Sequence, residues 1–121
     1  MKDIVIAGYA RSPFTPASRG ALTEIRPDDL AAQVIKALVK RTGINAGDIE
    51  DLKLGCAFPE GEQGLNLARL VGFLANLPIS VSGVTVNRFC GSSMETIHMA
   101  AGAIHMNAGE AFISAGVESM S

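Results

Sequence analysis

The chain has 121 residues, 48% of them hydrophobic and 18% charged, with a formal net charge of −2. That is one domain's worth of chain, able to bury about 65–70% of its unfolded surface, and its apolar content excludes a disordered polypeptide. The weak negative charge argues against a polyanion partner, and two cysteines without metal-ligand spacing, Cys56 and Cys90, argue against a disulfide framework or a metal site.

The first apolar run, Ile4 to Ala7, ends at Gly8 and predicts a central strand covered on both faces. No run of about 18 apolar residues occurs, and Met1-Lys2-Asp3 leads straight into the strand pattern. Neither a membrane span nor a cleavable leader is therefore expected, and the cytoplasm is the default compartment. Arg11 to Ala21, crowded with Ser, Thr, Pro and Gly, predicts a loop. From Pro27 the pattern turns helical, with Leu30, Val34 and Leu38 in one row and Ala31, Ile35 and Val39 beside it. Pro27 suits the first helical position, Asp28 and Asp29 its positive end, and Lys36, Lys40 and Arg41 its negative end before Gly43. The three basic residues are read as helix-end solvation and given no function.

Asn45 to Asp51 reads as a turn, and Leu52 and Leu54, alternating with Lys53, begin a second strand that runs into Gly55, Cys56 and Ala57. Pro59, Gly61 and Gly64 form a loop into a helix carrying Leu67, Leu70, Val71 and Leu74, which ends before Pro78. The strand-helix-strand order implies a parallel crossover. Cys56 is read as packing, since no helix starts there and Glu60 and Glu62 disfavour a thiolate. Those two glutamates, with no His or metal companion, read as solvated charges.

Gly83 to Val86 predicts a third strand, and Met94, Ile97, Ala101 and Ile104 recur at the steps of a helix face. Cys90 falls between them, at a helix entrance. Unpaired amides and the peptide dipole favour an anion there, so Cys90 is the candidate nucleophile, and the same amides suit the oxyanion formed when a thioester carbonyl is attacked. Gly91, Ser92 and Ser93 are small enough to let a substrate approach. A buried, inert cysteine in a tightly packed core helix is the competing reading. His98 and His105 lie roughly 12 and 22 Å along the helix from Cys90, too far to activate it. Ala111 to Val117 predicts a fourth strand, and Ser121 follows it with no covering helix.

The stretch VNRFCGSSMETIHMAAGAI resembles the acyl-enzyme segment of the thiolases, with Val86, Asn87, Cys90, Gly91, Ser92, Ser93, Met94, Ile97 and Ile104 in the family's places. ARSPF resembles the family's opening, with Thr15 where a glycine is usual. GCAFPEGEQGLNLAR points to the 3-oxoacyl-CoA thiolase branch through Gly55, Cys56, Glu62, Gln63, Gly64, Asn66, Ala68 and Arg69, and GVESM resembles the exit toward the family's loop domain. The resemblance implies an α/β fold, a thiolase-like N-terminal half of order βαβαβαβ with a mostly parallel sheet and a buried nucleophile helix. It implies residues 1–121 as an incomplete thiolase N-terminal domain, its loop and C-terminal domains missing.

It further implies an acyltransferase in which Cys90 carries the acyl group as a thioester and coenzyme A removes it, with acyl-CoA and CoA as substrates and no resident cofactor. The family's base histidine and second cysteine would come from the C-terminal half, so the 121 residues alone are expected to be inactive. A homodimer or higher assembly through Gly83 to Arg88 is implied as well, which makes a structural role the preferred reading of Asn87 and Arg88. A condensing enzyme of the ketosynthase kind, a cysteine hydrolase and a noncatalytic dimerisation module are the alternatives.

Overall fold

A computed structural model describes residues 2–121. Three short parallel strands form one open sheet: β1 (Asp51–Gly55), β2 (Ser82–Val86) and β3 (Phe112–Gly116), in the order β2-β1-β3. Register is set by Leu52 opposite Gly83 on one side and Ile113 on the other. Three α-helices cover the sheet, α1 (Pro27–Thr42), α2 (Leu67–Leu74) and α3 (Ser92–His105).

Alternation along the strands assigns the faces. Leu52, Leu54 and Ile113 point into one core with Ile35 of α1 and Leu67, Ala68 and Val71 of α2. A Cβ on Gly83, which lies beside Leu52, would meet the α2 backbone at Arg69, 2.8 Å away. On the opposite face Gly55 and Gly116 lie against Ser93, and Ser114 Oγ donates to the Thr96 carbonyl, so α3 covers that side. Three layers result, with β1 buried between them.

Helix α1 starts at Pro27 and is stopped by Gly43 at φ 69°, as its end signals predict. Its deepest residues are Ala31, Ala32 and Ile35, while Leu30, Val34 and Leu38 are half-buried. Arg26 grips Asp28 through two hydrogen bonds of 3.1 and 2.8 Å, and Asp28 also accepts from the Asp29 amide. The Arg26 side chain, ahead of its other contacts, holds the buried Asp28 carboxyl below the usual carboxylate range. A depressed folded-state pKa contributes stability above the unfolded value, about 3.9, and that stability is lost as pH falls through the folded value. Asp28→Asn is accordingly expected to cost about 1 kcal/mol at pH 7, with the difference from wild type shrinking in urea titrations as acid protonates the Asp28 carboxylate.

The expectation of a central strand at Ile4–Ala7 is corrected. Those residues form no strand and are exposed, Val5 and Ile6 at 79% and 78%. Their continuous apolar character marks a segment that needs cover, but a strand also needs a partner strand, and this segment pairs with none among the described residues; the central position belongs to β1, between β2 and β3. The segment instead lies along α1, where Arg41 donates to the Tyr9 carbonyl at 2.6 Å and Gly8 abuts Thr42.

Lys53 likewise differs from its alternating pattern. It is 8% exposed, on the face under α3, paired with Asp51 at 2.7 Å and lying over the Phe112 ring. Alternation is a guide where one face of a sheet meets water, and this strand is covered on both.

Candidate active site

The Cys90 segment begins where β2 ends and α3 starts, at the C-terminal edge of the parallel sheet, where open α/β folds place their ligands. Helix α3 starts at Ser92 with Gly91 as its cap, so Cys90 lies just outside the first turn and is exposed. Among the described residues no side chain caps the helix, its Ser92 amide donates to the Phe89 carbonyl at 3.1 Å, and its Ser93 amide nitrogen lies against Gly55.

The turn that presents Cys90 is tightly held. Phe89 sits at φ 45°, a region that costs a bulky residue about 1–3 kcal/mol and persists only where its surroundings impose it. Ser92 supplies part of that constraint, accepting from the Arg88 amide at 2.8 Å and donating to the Phe89 carbonyl at 2.6 Å. Asn87 supplies the rest: its Oδ1 accepts from the Phe89 amide at 3.0 Å, and its Nδ2 donates to the Ala57 carbonyl at 3.2 Å. Spacing alone suggested only that Ser92 is small; it is a hydrogen-bonding clamp, 4% exposed.

The row Met94, Ile97, Ala101 and Ile104 is not the face turned to the sheet, and the expected buried nucleophile helix is buried on one side only, with Ala101 and Ile104 half-buried and Met94 and Ile97 exposed. The sheet-facing residues are Ser92, Thr96 and Ala100, while Met94 and Ile97 are 64% and 46% exposed. Gly55 and Gly116 explain the choice. They let the helix start touch the strands, and only small side chains fit at that separation. Arg88 and His98 both approach Glu95 at 3.5 Å, so their nitrogens are directed to a surface carboxylate.

Cys56 is 1% exposed, in keeping with the packing interpretation. Burial first, and then the Glu118 carboxylate, push its thiol pKa up, so it stays protonated at neutral pH. The acidic neighbour that matters is therefore Glu118, whose Oε1 lies 3.8 Å from the sulfur. Glu60 and Glu62 are exposed, Glu62 meeting Arg26 at 3.3 Å on the surface. Among the described residues no group of His, Cys, Asp and Glu could hold a metal ion.

Cys90 opens on a cleft of about 720 Å³. Helix α1 forms one wall through Pro27, Leu30 and Val34, and four loop stretches form the rest: Arg11 to Thr15, the β1 exit at Cys56 to Phe58, the Phe89 to Ser93 turn, and the β3 exit from Val117 to Ser121. The four loop stretches are the ARSPF, GCAF, FCGSS and GVESM segments, the last three brought together by the parallel sheet.

The family model for the thiolase N-terminal domain matches residues 4–121. The chain belongs to the thiolase family. It is 49% identical over its whole length to a 3-ketoacyl-CoA thiolase of Bacillus subtilis, of which it covers 31%. A 3-ketoacyl-CoA thiolase of Acinetobacter baumannii is 44% identical over 98% of the chain, which covers 30% of that relative. Among solved structures, a Bacillus anthracis acetyl-CoA acetyltransferase superposes with a TM-score of 0.89 at 34% identity, over 96% of this chain and 29% of that one. The chain thus spans about a third of the length of the curated thiolases it matches, and the α/β class expected from its sequence is the class observed.

Proposed function

We propose that these residues form the acyl-accepting part of a thiolase acting on 3-oxoacyl-CoA, with Cys90 as the nucleophile. The supporting observation is the cleft at Cys90, because the four family-like segments, far apart in sequence, all line it. In the degradative direction the Cys90 thiolate attacks the 3-oxo carbon. The S–C bond forms, the C2–C3 bond breaks, and acetyl-CoA leaves with the electron pair and takes a proton at C2. The CoA thiolate then attacks the new thioester, releasing a shortened acyl-CoA and the Cys90 thiolate, a ping-pong sequence that runs in reverse as a Claisen condensation. Cys90 stands just before α3, and the positive end of that helix favours negative charge on the sulfur.

Neither histidine of the chain serves as the base, since His98 is drawn to Glu95 and His105 lies at the far end of α3. The resemblance assigns the base and the second cysteine to residues beyond the matched third. The 121 residues alone are therefore expected to show negligible thiolysis, whereas a thiolase of the relatives' length that carries this segment forms a stoichiometric acyl adduct on Cys90. Mass spectrometry of acyl-CoA-treated protein decides the matter. Near-native turnover by the 121 residues, or an unmodified Cys90 in the longer enzyme, would sink the reading.

Two further parts of the proposal concern surroundings. A second copy pairs antiparallel along β2, which lies at an edge of the sheet; light scattering that finds only monomer at micromolar concentration would reject this. The compartment is the reducing cytoplasm, a reading supported by two cysteines held as free thiols and checked by fractionation of expressing cells. No helix among the described residues is long and apolar enough to cross a membrane.

A further inference from the structure

We propose that Glu118 is a positioning residue for Cys90, acting through Ala57 and Asn87 on the strained turn at Phe89. The inference rests on the reading of Cys90 as nucleophile, and its geometry is independent of that reading. Glu118 lies just beyond β3, and its carboxylate reaches across the sheet edge to the exit of β1. Oε2 accepts from the Ala57 amide at 2.6 Å, and Oε1 accepts from the Phe58 amide at 3.1 Å and from Gln63 Nε2 at 3.2 Å. Gln63, 5% exposed, is itself fixed, donating to the Phe58 carbonyl at 2.8 Å and accepting from the Ser119 amide at 2.6 Å. The carboxylate and the amide of Gln63 thus lock the β1 exit to the β3 exit.

From that lock one path leads to the nucleophile. The peptide unit whose amide binds Glu118 precedes the carbonyl that accepts from Asn87 Nδ2, and the other end of the same Asn87 amide accepts the Phe89 N–H. Phe89, at φ 45°, immediately precedes Cys90. A residue in that region relaxes toward negative φ unless hydrogen bonds on both sides hold it. Ser92 holds the side toward α3, and the Glu118–Ala57–Asn87 path holds the side toward β1. A carboxylate suits the hub because two backbone N–H groups and an amide converge on it, and charge-assisted bonds of this kind are the stronger ones. Glutamine at the same place would turn an NH2 group toward one of those donors.

Amide hydrogen exchange in the 121-residue chain tests the relay. Glu118→Gln and Asn87→Ala are each expected to accelerate exchange at Phe89 at least tenfold, with Ile35 and Leu52 unchanged. The double variant should be no faster than the quicker single one, because both act on one path. Cys90 alkylation by iodoacetamide should slow at least fivefold in both single variants, and Glu118→Asp, which keeps both acceptors, should regain part of the rate. Unchanged exchange at Phe89, or accelerations that multiply in the double variant, would overturn the relay. If Glu118→Gln does not fold, Asn87→Ala and Glu118→Asp carry the same comparison. Failure of the thiolase reading shows elsewhere, as a longer enzyme with no acyl adduct on Cys90 while the Phe89 exchange pattern stands.

Discussion

Cys90→Ser in a thiolase of full length is expected to abolish the acyl adduct and lower turnover by about 10³-fold or more. The two side chains are close in size, so the test separates chemistry from packing. A serine hydroxyl ionises far less readily than a thiol and needs a neighbouring base to attack a carbonyl, and His98 is directed to Glu95 instead. Because Cys90 is exposed at the head of α3, the replacement leaves no cavity and creates no buried unpaired group. Unfolding by urea should therefore be unchanged within about 0.5 kcal/mol. A serine variant that kept most of its activity would remove Cys90 from the proposed mechanism, and one that lost stability in parallel would show that the sulfur is structural.

Gly55→Ala is expected to be the most damaging small substitution in the chain, costing about 3 kcal/mol in urea unfolding. Its Cβ would stand 2.4 Å from the Ser93 amide nitrogen and 2.6 Å from the Ser92 carbonyl carbon, both backbone atoms of the start of α3. No side chain can rotate to make room, so either the helix lifts off the sheet or β1 shifts against its two neighbours. Lifting the helix carries away Ser92 and with it the clamp on Phe89, so the reactivity of Cys90 should change along with stability. Gly102, in the same helix, has nothing within 4 Å of its Cβ position, and Gly102→Ala should stabilise by about 0.5–1 kcal/mol through helix propensity alone. Equal effects at the two positions would refute close packing at the helix start as the reason for Gly55.

The strand-loop-helix around Cys90 was legible because each part has a local signal. The apolar run from Gly83 to Val86 lies within β2, and α3 follows two residues after the cysteine. The limits of α1 were equally readable, since proline, aspartates and glycine act within one turn of where they stand. Burial was less readable. The periodic row Met94, Ile97, Ala101 and Ile104 is real, yet the sheet receives Thr96 and Ala100 instead, because the glycines on the strands demand small partners and periodicity does not say what lies opposite. For Ile4 to Ala7 the local signal was a strand, but strands are completed by hydrogen bonds to another segment, and sequence near the run carries no information about that edge.

The sequence by itself determined the helix limits, the three paired strands, the place of Cys90 at a helix entrance and the resemblance to thiolases, all of which depend on residues near one another along the chain. Tertiary structure alone decided which strand is central, which face of α3 meets the sheet, and that Glu118, Gln63, Ala57 and Asn87 form one hydrogen-bonded group beside the turn that carries Cys90. Those outcomes depend on contacts between segments up to 62 residues apart, as at Cys56 and Glu118. Such contacts are selected by packing and by the pairing of polar groups across the whole fold, which no local propensity encodes.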